Sequence, residues 1–566
     1  TWDIISGDLT TNDKEKQKQH ESGGITMDAT GAENHCTILA IAPSPKEKGV
    51  LWVGTDDGQV QLSRDGGKTW TNLTSKITGM PKGAWIPQIQ ASTHNAAEVL
   101  VVVNNYRQFD FKPYLFRSKD YGQTWENMVT PSQVGENNYT LAVVQDLVEP
   151  KLIFVGTENG LWVSLDEGKT YTRWTSGYPA GVPTMDLVIH PREHDLAIGT
   201  FGRALYILDD IRPLRVMVKE GTQVLNRTVR IFDAPDAYQV ETQDPAGILF
   251  PGNAMFQGEN RTTSAMISFV INKPETKKDE PKSEDKKADA KKDAKPVDKK
   301  DEKKEDAKDD KKPKYDSLTL EVFNGKGEKI RTIKQKAPED NGLNRTTWSL
   351  NEKGVRQPSR EKAKAGAPEP SGTQVLPGTY KLRMSFGGAK DSAMINVKPD
   401  PRYTSSSIME ARYKLLKDLQ TMTAVGAEAM NQLRESKEIA EEFEKKMKEA
   451  KRDDLKEATE KTKAIKDSIG VLMDYIVGKE DKRQGIVRQP DPTPMSYVGN
   501  AQFFIRSSKD PISTTDQRVF QQAEQQINKV MQRVNFFYEK TWPGYRALME
   551  KVSISPFKDY QPLKRN

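Results

Sequence analysis

Cysteine is almost absent: the 566 residues hold one, Cys36. That excludes an internal disulfide framework and any metal site built from several thiolates. Five histidines, scattered along the chain, do not form a histidine-rich metal centre. No run of 18 or more apolar residues exists, which excludes a membrane-spanning helix. A glycine-rich phosphate loop between a strand and a helix is missing, as is a G-x-S-x-G elbow. Neither nucleotide binding nor α/β-hydrolase chemistry therefore has support, and neither a metal nor a cofactor is expected.

A real excess of one charge is also lacking. The formal net charge is +6. Residues 273–314 alone hold 17 Lys against 14 Asp or Glu, which is half of that surplus. The rest of the chain is close to neutral and its basic residues are interleaved with acids, which argues against nucleic acid as a partner.

What is present is a repeat. Trp52-Val53-Gly54-Thr55-Asp56-Asp57-Gly58 leads into Ser63-Arg64-Asp65-Gly66-Gly67-Lys68-Thr69-Trp70. Phe154-Val155-Gly156-Thr157-Glu158-Asn159-Gly160 leads into Ser164-Leu165-Asp166-Glu167-Gly168-Lys169-Thr170-Tyr171. Ser118-Lys119-Asp120-Tyr121-Gly122-Gln123-Thr124-Trp125 keeps the second half, and Ile198-Gly199-Thr200 keeps the first. The three serines lie 55 and 46 residues apart, close to the ~40–50 residues of a four-stranded propeller blade. The motif reads as a hairpin turn. Asp65, Asp120 and Asp166 can accept backbone N–H bonds. Gly67, Gly122 and Gly168 supply positive φ. Trp70, Trp125 and Tyr171 open the next strand.

These motifs resemble the Asp-box (BNR) repeats of sialidase-like and sortilin-type propellers over residues 1 to about 212. The whole chain resembles the C-terminal part of large bacterial sortilin-like or glycosyl-hydrolase-like repeat proteins. The phrases that carry this are Gly31-Ala32-Glu33-Asn34-His35-Cys36, Asp110-Phe111-Lys112-Pro113-Tyr114 and Gly478-Lys479-Glu480-Asp481-Lys482-Arg483-Gln484-Gly485-Ile486. The resemblance implies peripheral boxes that stabilise turns, an extracytoplasmic location, and more blades than the four visible. Thr1-Trp2 looks like the end of a box, so the chain is expected to begin inside a blade, with an N-terminal portion missing, cleaved or carried elsewhere; the absent N-terminal blades, of the same protein or a cleaved fragment, are one expected partner. A surface or periplasmic protein complex, or a glycan, is the other expected partner.

The expected fold is mainly β and multidomain: a partial Asp-box β-propeller over 1–212, an Ig-like β-sandwich over 213–400, and an α-helical bundle over 401–566. Turn-punctuated strand runs, such as Ala265-Met266-Ile267-Ser268-Phe269-Val270-Ile271 and Gly378-Thr379-Tyr380-Lys381-Leu382, suggest the antiparallel sandwich. Asn324-Gly325 signals a hairpin within it. The tract 273–314 is too charged to bury a core and should be a disordered insertion. Apolar residues at three- and four-residue spacing around Leu419, Ile469 and Ile527 predict three long helices, with 485–513 a proline-rich connection. The tail, 556–562, is expected to pack on the bundle.

Candidate sites fall in the repeat region. Glu33, Asn34 and His35 cluster before a strand; His35 suits ligand contact or proton transfer with Glu33, or a purely structural bond. Cys36 reads as a buried apolar residue. Asp56, Asp57 and Glu158 could supply the paired carboxylates of a glycoside hydrolase, but turn composition explains them fully. Trp85, Arg107 and Asp110 lie in aromatic-rich segments that suit glycan or peptide binding, or inter-sheet packing. Arg203 either reaches the channel or pairs with an acid. Sialidase-type sites use an arginine triad and a tyrosine nucleophile, and no matching set accompanies Arg107 and Arg203. The expected function is a non-catalytic binding or scaffold protein recognising peptide, protein or glycan. The alternative is a glycoside hydrolase acting in the propeller cleft.

Overall fold

The computed structural model describes residues 3–18, 21, 34–240, 261–274, 315–364, 366–403, 405–450, 452–479 and 491–553. Thr1-Trp2, Glu33, residues 275–314, the segment 480–486 and the tail 556–562 lie outside them. The chain is mainly β, in small and mostly antiparallel sheets, with a helical region toward its C-terminus. Contacts divide it into two units, Thr1–Asn226 and Arg227–Asn566.

The first unit contains four successive meanders. Strands Ile38–Pro43, Leu51–Thr55, Val60–Ser63 and Thr71–Asn72 form the first sheet. Trp85–Ala91, Val99–Asn105, Asp110–Ser118 and Glu126–Asn127 form the second. Thr140–Gln145, Ile153–Thr157, Gly160–Ser164 and Thr172–Trp174 form the third, and Thr184–Ile189, Leu196–Thr200 and Leu205–Leu208 the fourth. Side chains alternate across a strand, and that alternation stacks the sheets. Val99, Val101 and Val103 join a core with Trp52, Val60 and Leu62 of the first sheet. Leu100 and Val102, on the other face, join Val143, Ile153 and Val155 of the third.

The three boxed turns share one set of bonds. Ser63 Oγ donates to Asp65 at 2.9 Å and accepts from the Gly67 amide at 2.8 Å. Asp65 also accepts from the Thr69 amide at 2.9 Å, and the Trp70 indole donates to the Gly67 carbonyl at 3.0 Å. Ser118, Asp120, Gly122, Thr124 and Trp125 repeat this arrangement. Ser164, Asp166, Gly168 and Thr170 do too, while Tyr171 has no indole N–H to close it. Two consecutive residues per turn take positive φ: Gly66 and Gly67, Tyr121 and Gly122, Glu167 and Gly168. The first of each pair donates its amide to the preceding hairpin, at Gly49, Ala97 and Lys151 respectively.

The fourth sheet has no box. There the Ile211 amide bonds the His194 carbonyl at 2.9 Å. Helix Arg212–Glu220 follows, and Arg215 reaches Asp146 in a buried two-pronged ion pair of 2.9 and 2.7 Å.

In the second unit, a three-stranded sheet (Val229–Ile231, Ala265–Ile271, Gly342–Trp348) and a five-stranded one share a single core. The larger sheet holds Ala237–Gln239, Ala389–Pro399, Gly378–Phe386, Ser317–Phe323 and Lys329–Lys336. Trp348 is fully buried edge-on to Tyr380. Ala237–Gln239 pairs in parallel with Ala389–Pro399, so this sheet is mixed, contrary to the antiparallel expectation. The long intervening chain permits the crossover that a parallel pair needs. In the 324–328 hairpin turn the left-handed residue is Gly327, not Gly325.

Helix Ser406–Ala450 packs on Lys456–Val477 and Thr514–Phe536 through Met430, Leu433, Ile469, Met473, Val530 and Val534. A further helix, Pro494–Ser507, corrects the expectation of a plain connection over 485–513. Its proline occupies the first helical turn, where no N–H is needed, and Thr493 caps the Ser496 amide at 3.1 Å. Val498, Ala501 and Ile505 bury against Leu419, Ala523 and Ile527.

Candidate functional site

In each of the three boxed meanders the turn between the second and third strands lies at the end opposite the box, and the fourth meander has the corresponding turn. In the first, third and fourth sheets this turn is fixed by one backbone bond to the start of the sheet: Asp56 to Thr37, Glu158 to Tyr139 and Phe201 to Pro183. The candidate residues on these turns therefore share one end of the unit, and the boxes the other.

At that end of the second sheet, the Arg107 guanidinium lies 3.1 Å from the Trp85 ring centroid and 4.5 Å from that of Tyr106. Tyr106 stacks at 4.8 Å on Tyr139, which precedes the first strand of the third sheet, and Phe111 flanks Tyr139 at 6.3 Å. The Tyr139 hydroxyl donates to Glu158 at 2.7 Å. The turn is held by Gln108, whose amide donates to the Gly83 carbonyl at 3.2 Å. Phe109 closes the short helix Tyr106–Gln108 with a left-handed φ of 58°.

Polar atoms remain unpaired here. Arg107 Nη1, Asn104 Oδ1 and Asn105 Oδ1 on this turn, and Thr140 Oγ1 beside Tyr139, are buried without a hydrogen-bond partner. Buried polar atoms are paired in most proteins, so such a cluster calls for an explanation. Burial draws the Arg107 guanidinium below its ordinary pKa, with Tyr106, Tyr139 and Asp56 pulling the other way. Burial, followed by the bond to Glu158, pushes Tyr139 up.

The other candidates are mostly engaged. His35 is buried, its Nδ1 3.5 Å from Cys36 Sγ. Asn34 is exposed, and its carbonyl accepts from the Thr37 hydroxyl at 2.7 Å. Cys36 is half-buried with φ 65°, and burial raises its thiol pKa. Asp56 accepts from the Thr37 amide at 2.7 Å and lies within electrostatic reach of His35 and Arg107. Burial raises its carboxyl above the ordinary range. Asp57 is buried as well, but bonds from Thr11 and Thr55 outweigh burial and lower it. Asp110 accepts from Tyr114 at 2.8 Å and Asn105 at 3.2 Å. Arg203 is exposed in the fourth sheet's turn. Tyr139 was not singled out in the sequence. Its one signal there is an aromatic placed just before the first strand of a repeat.

Among the described residues no group of His, Cys, Asp or Glu could hold a metal ion, and no helix is long and apolar enough to cross a membrane.

No protein-family model matches the chain, and no curated protein matches it. Among solved structures it is similar to a GH74 enzyme of Niastella koreensis, at 18% identity over 31% of this chain and 29% of that one, with a TM-score of 0.24. A GH74 xyloglucanase of Xanthomonas campestris matches at 18% over 30% of this chain and 29% of that one, with a TM-score of 0.25. The extracellular domain of a hybrid two-component system from B. thetaiotaomicron matches at 10% over 64% of this chain and 38% of that one, also at 0.25. The chain thus spans under a third of the two GH74 proteins. Likeness at this level decides neither fold nor function.

Proposed function

We propose that the four meanders are blades of a β-propeller, and that the end bearing Trp85, Tyr106, Arg107 and Tyr139 is a non-catalytic binding face for a glycan or peptide, in an extracytoplasmic binding or scaffold protein. The Ig-like reading of the paired sheets in the second unit belongs to the same proposal. The observation that carries it is Arg107, fixed on an aromatic ring while one of its buried nitrogens has no partner. Aromatic faces with a few fixed polar groups suit such ligands. The engagement of Asp57 by Thr11 and Thr55, and of Glu158 by Tyr139, supports binding over hydrolysis.

Screening the chain on glycan and peptide arrays tests this. Ligands retained by the wild type should be lost by Trp85→Ala and Arg107→Ala at unchanged melting temperature. Retention by both variants would refute the site. One observation favours the second reading, glycoside hydrolysis: the raised Asp56 carboxyl has the character of a general acid. Release of reducing sugar by the wild type but not by Asp56→Asn would establish that reading, and absence of release across the glycan panel would remove it.

A further inference from the structure

The glycine of each Val/Ile-Gly-Thr triplet is the fourth residue of a second strand: Gly54, Gly156 and Gly199. A Cβ on Gly54 would sit 2.5 Å from Ile86 Cγ2, on the first strand of the next sheet. A Cβ on Gly156 would sit 2.5 Å from the Thr184 carbonyl oxygen, again on the next sheet's first strand. Glycine therefore allows close approach of the following sheet. The second sheet has Val102 in this place and packs it with Val143 instead. A Cβ on Gly199 would meet only Asp186 of its own sheet, at 3.5 Å. The fourth sheet has the same glycine, and among the described residues no next sheet lies against it.

Its neighbours show the same vacant face. Leu205 pairs with Gly199, and Ile207 and Val188 flank Ala197. They are 75%, 57% and 57% exposed. At the same registers the first sheet buries Val60, Leu62 and Ala42, and the third buries Leu161, Val163 and Val144. An apolar row buried in two sheets and bare in a third marks an interaction surface.

We infer that the open face of the fourth sheet docks a partner polypeptide carrying a further antiparallel sheet of this repeat, whose first strand lies over Gly199 between Val188, Leu205 and Ile207. The occupant follows from continuity: it extends the contact already made between the third and fourth sheets. The inference rests on the reading of the meanders as one propeller stack.

The test is a photo-crosslinker, p-benzoylphenylalanine, in place of Ile207, in the full chain expressed in its native cell, with the product sequenced by mass spectrometry. The expected product is a strand lying upstream of an S-x-D-x-G-x-T motif in another polypeptide stretch. Gly199→Leu should abolish that product without lowering the melting temperature. No product, a product with a second copy of this chain, or a partner without the repeat would overturn the inference. A melting temperature lowered by Gly199→Leu as far as by Gly156→Val would do so too, because the face would then be covered within the chain. Array binding by the chain with Gly199 intact keeps the two readings apart: absence of the crosslink with array binding intact sinks the docking face alone, and the crosslink without array binding sinks the Arg107 site alone.

Discussion

Arg107 lies over the Trp85 ring because two segments meet: the turn after Val99–Asn105 and the start of the strand it pairs with, where Trp85 faces Asn104. Both residues stand out in the sequence, Arg107 as a charge in a long aromatic-rich loop and Trp85 as an aromatic at a loop-to-strand entry. Tyr139 does not, because its role depends on which sheet stacks beside the second, and no local pattern encodes that. The boxed aspartates were legible for the opposite reason: all their partners lie within four residues. Backbone and side-chain bonds from Thr69 hold the Asp65 carboxyl at about 2, against an ordinary 3.8. Burial raises Asp120, but bonds from Thr124 and Ser118 outweigh it and also bring it to about 2. Because the folded values lie below the unfolded one, the stability they lend is full above pH ~4 and is lost as pH falls through about 2. Thermal melts across that window should show the first unit weakening. An Asp65→Asn, Asp120→Asn double variant should show a shallower slope, and an unchanged slope would disprove the linkage.

Elements in this chain are set by small local choices and by distant clamps. Valine at Gly156 would collide with the Thr184 backbone; overpacking of this kind costs about 1–3 kcal/mol, to be read from denaturant melts. Helix Arg212–Glu220 depends on the Arg215–Asp146 pair, which joins residues 69 apart. Asp146→Ala would leave a buried guanidinium unpaired, a loss of about 3–5 kcal/mol; a change below ~1 kcal/mol would show that the guanidinium finds another partner. The meanders were visible in sequence because box and triplet recur. Helix Pro494–Ser507 was not, since Pro490, Pro492 and Pro494 in close succession read as a breaker unless the capping role of Thr493 is recognised.

At the scale of the molecule, periodicity reveals the kinds of element but not how they group. The division falls after Asn226, and the second unit takes in both the shared-core sheets and the helices. Bonds such as Lys417 to Glu352 and Arg360 to Asp474 join those two parts, and their partners lie 65 and 114 residues apart in sequence. The repeat predicts a stack, and the row of Val188, Leu205 and Ile207 is exposed on the fourth sheet, the face on which the proposed further sheet would dock. The proposed binding face is formed by residues at the turns of these sheets opposite the boxes. The most direct test takes the best glycan or peptide from the array screen and measures its affinity for the wild type, Arg107→Lys and Arg107→Ala by calorimetry. A planar guanidinium on a ring is not replaced by an ammonium, so both variants should bind about tenfold or more weakly, each tenfold being ~1.4 kcal/mol. Equal affinity for all three proteins would contradict the binding face.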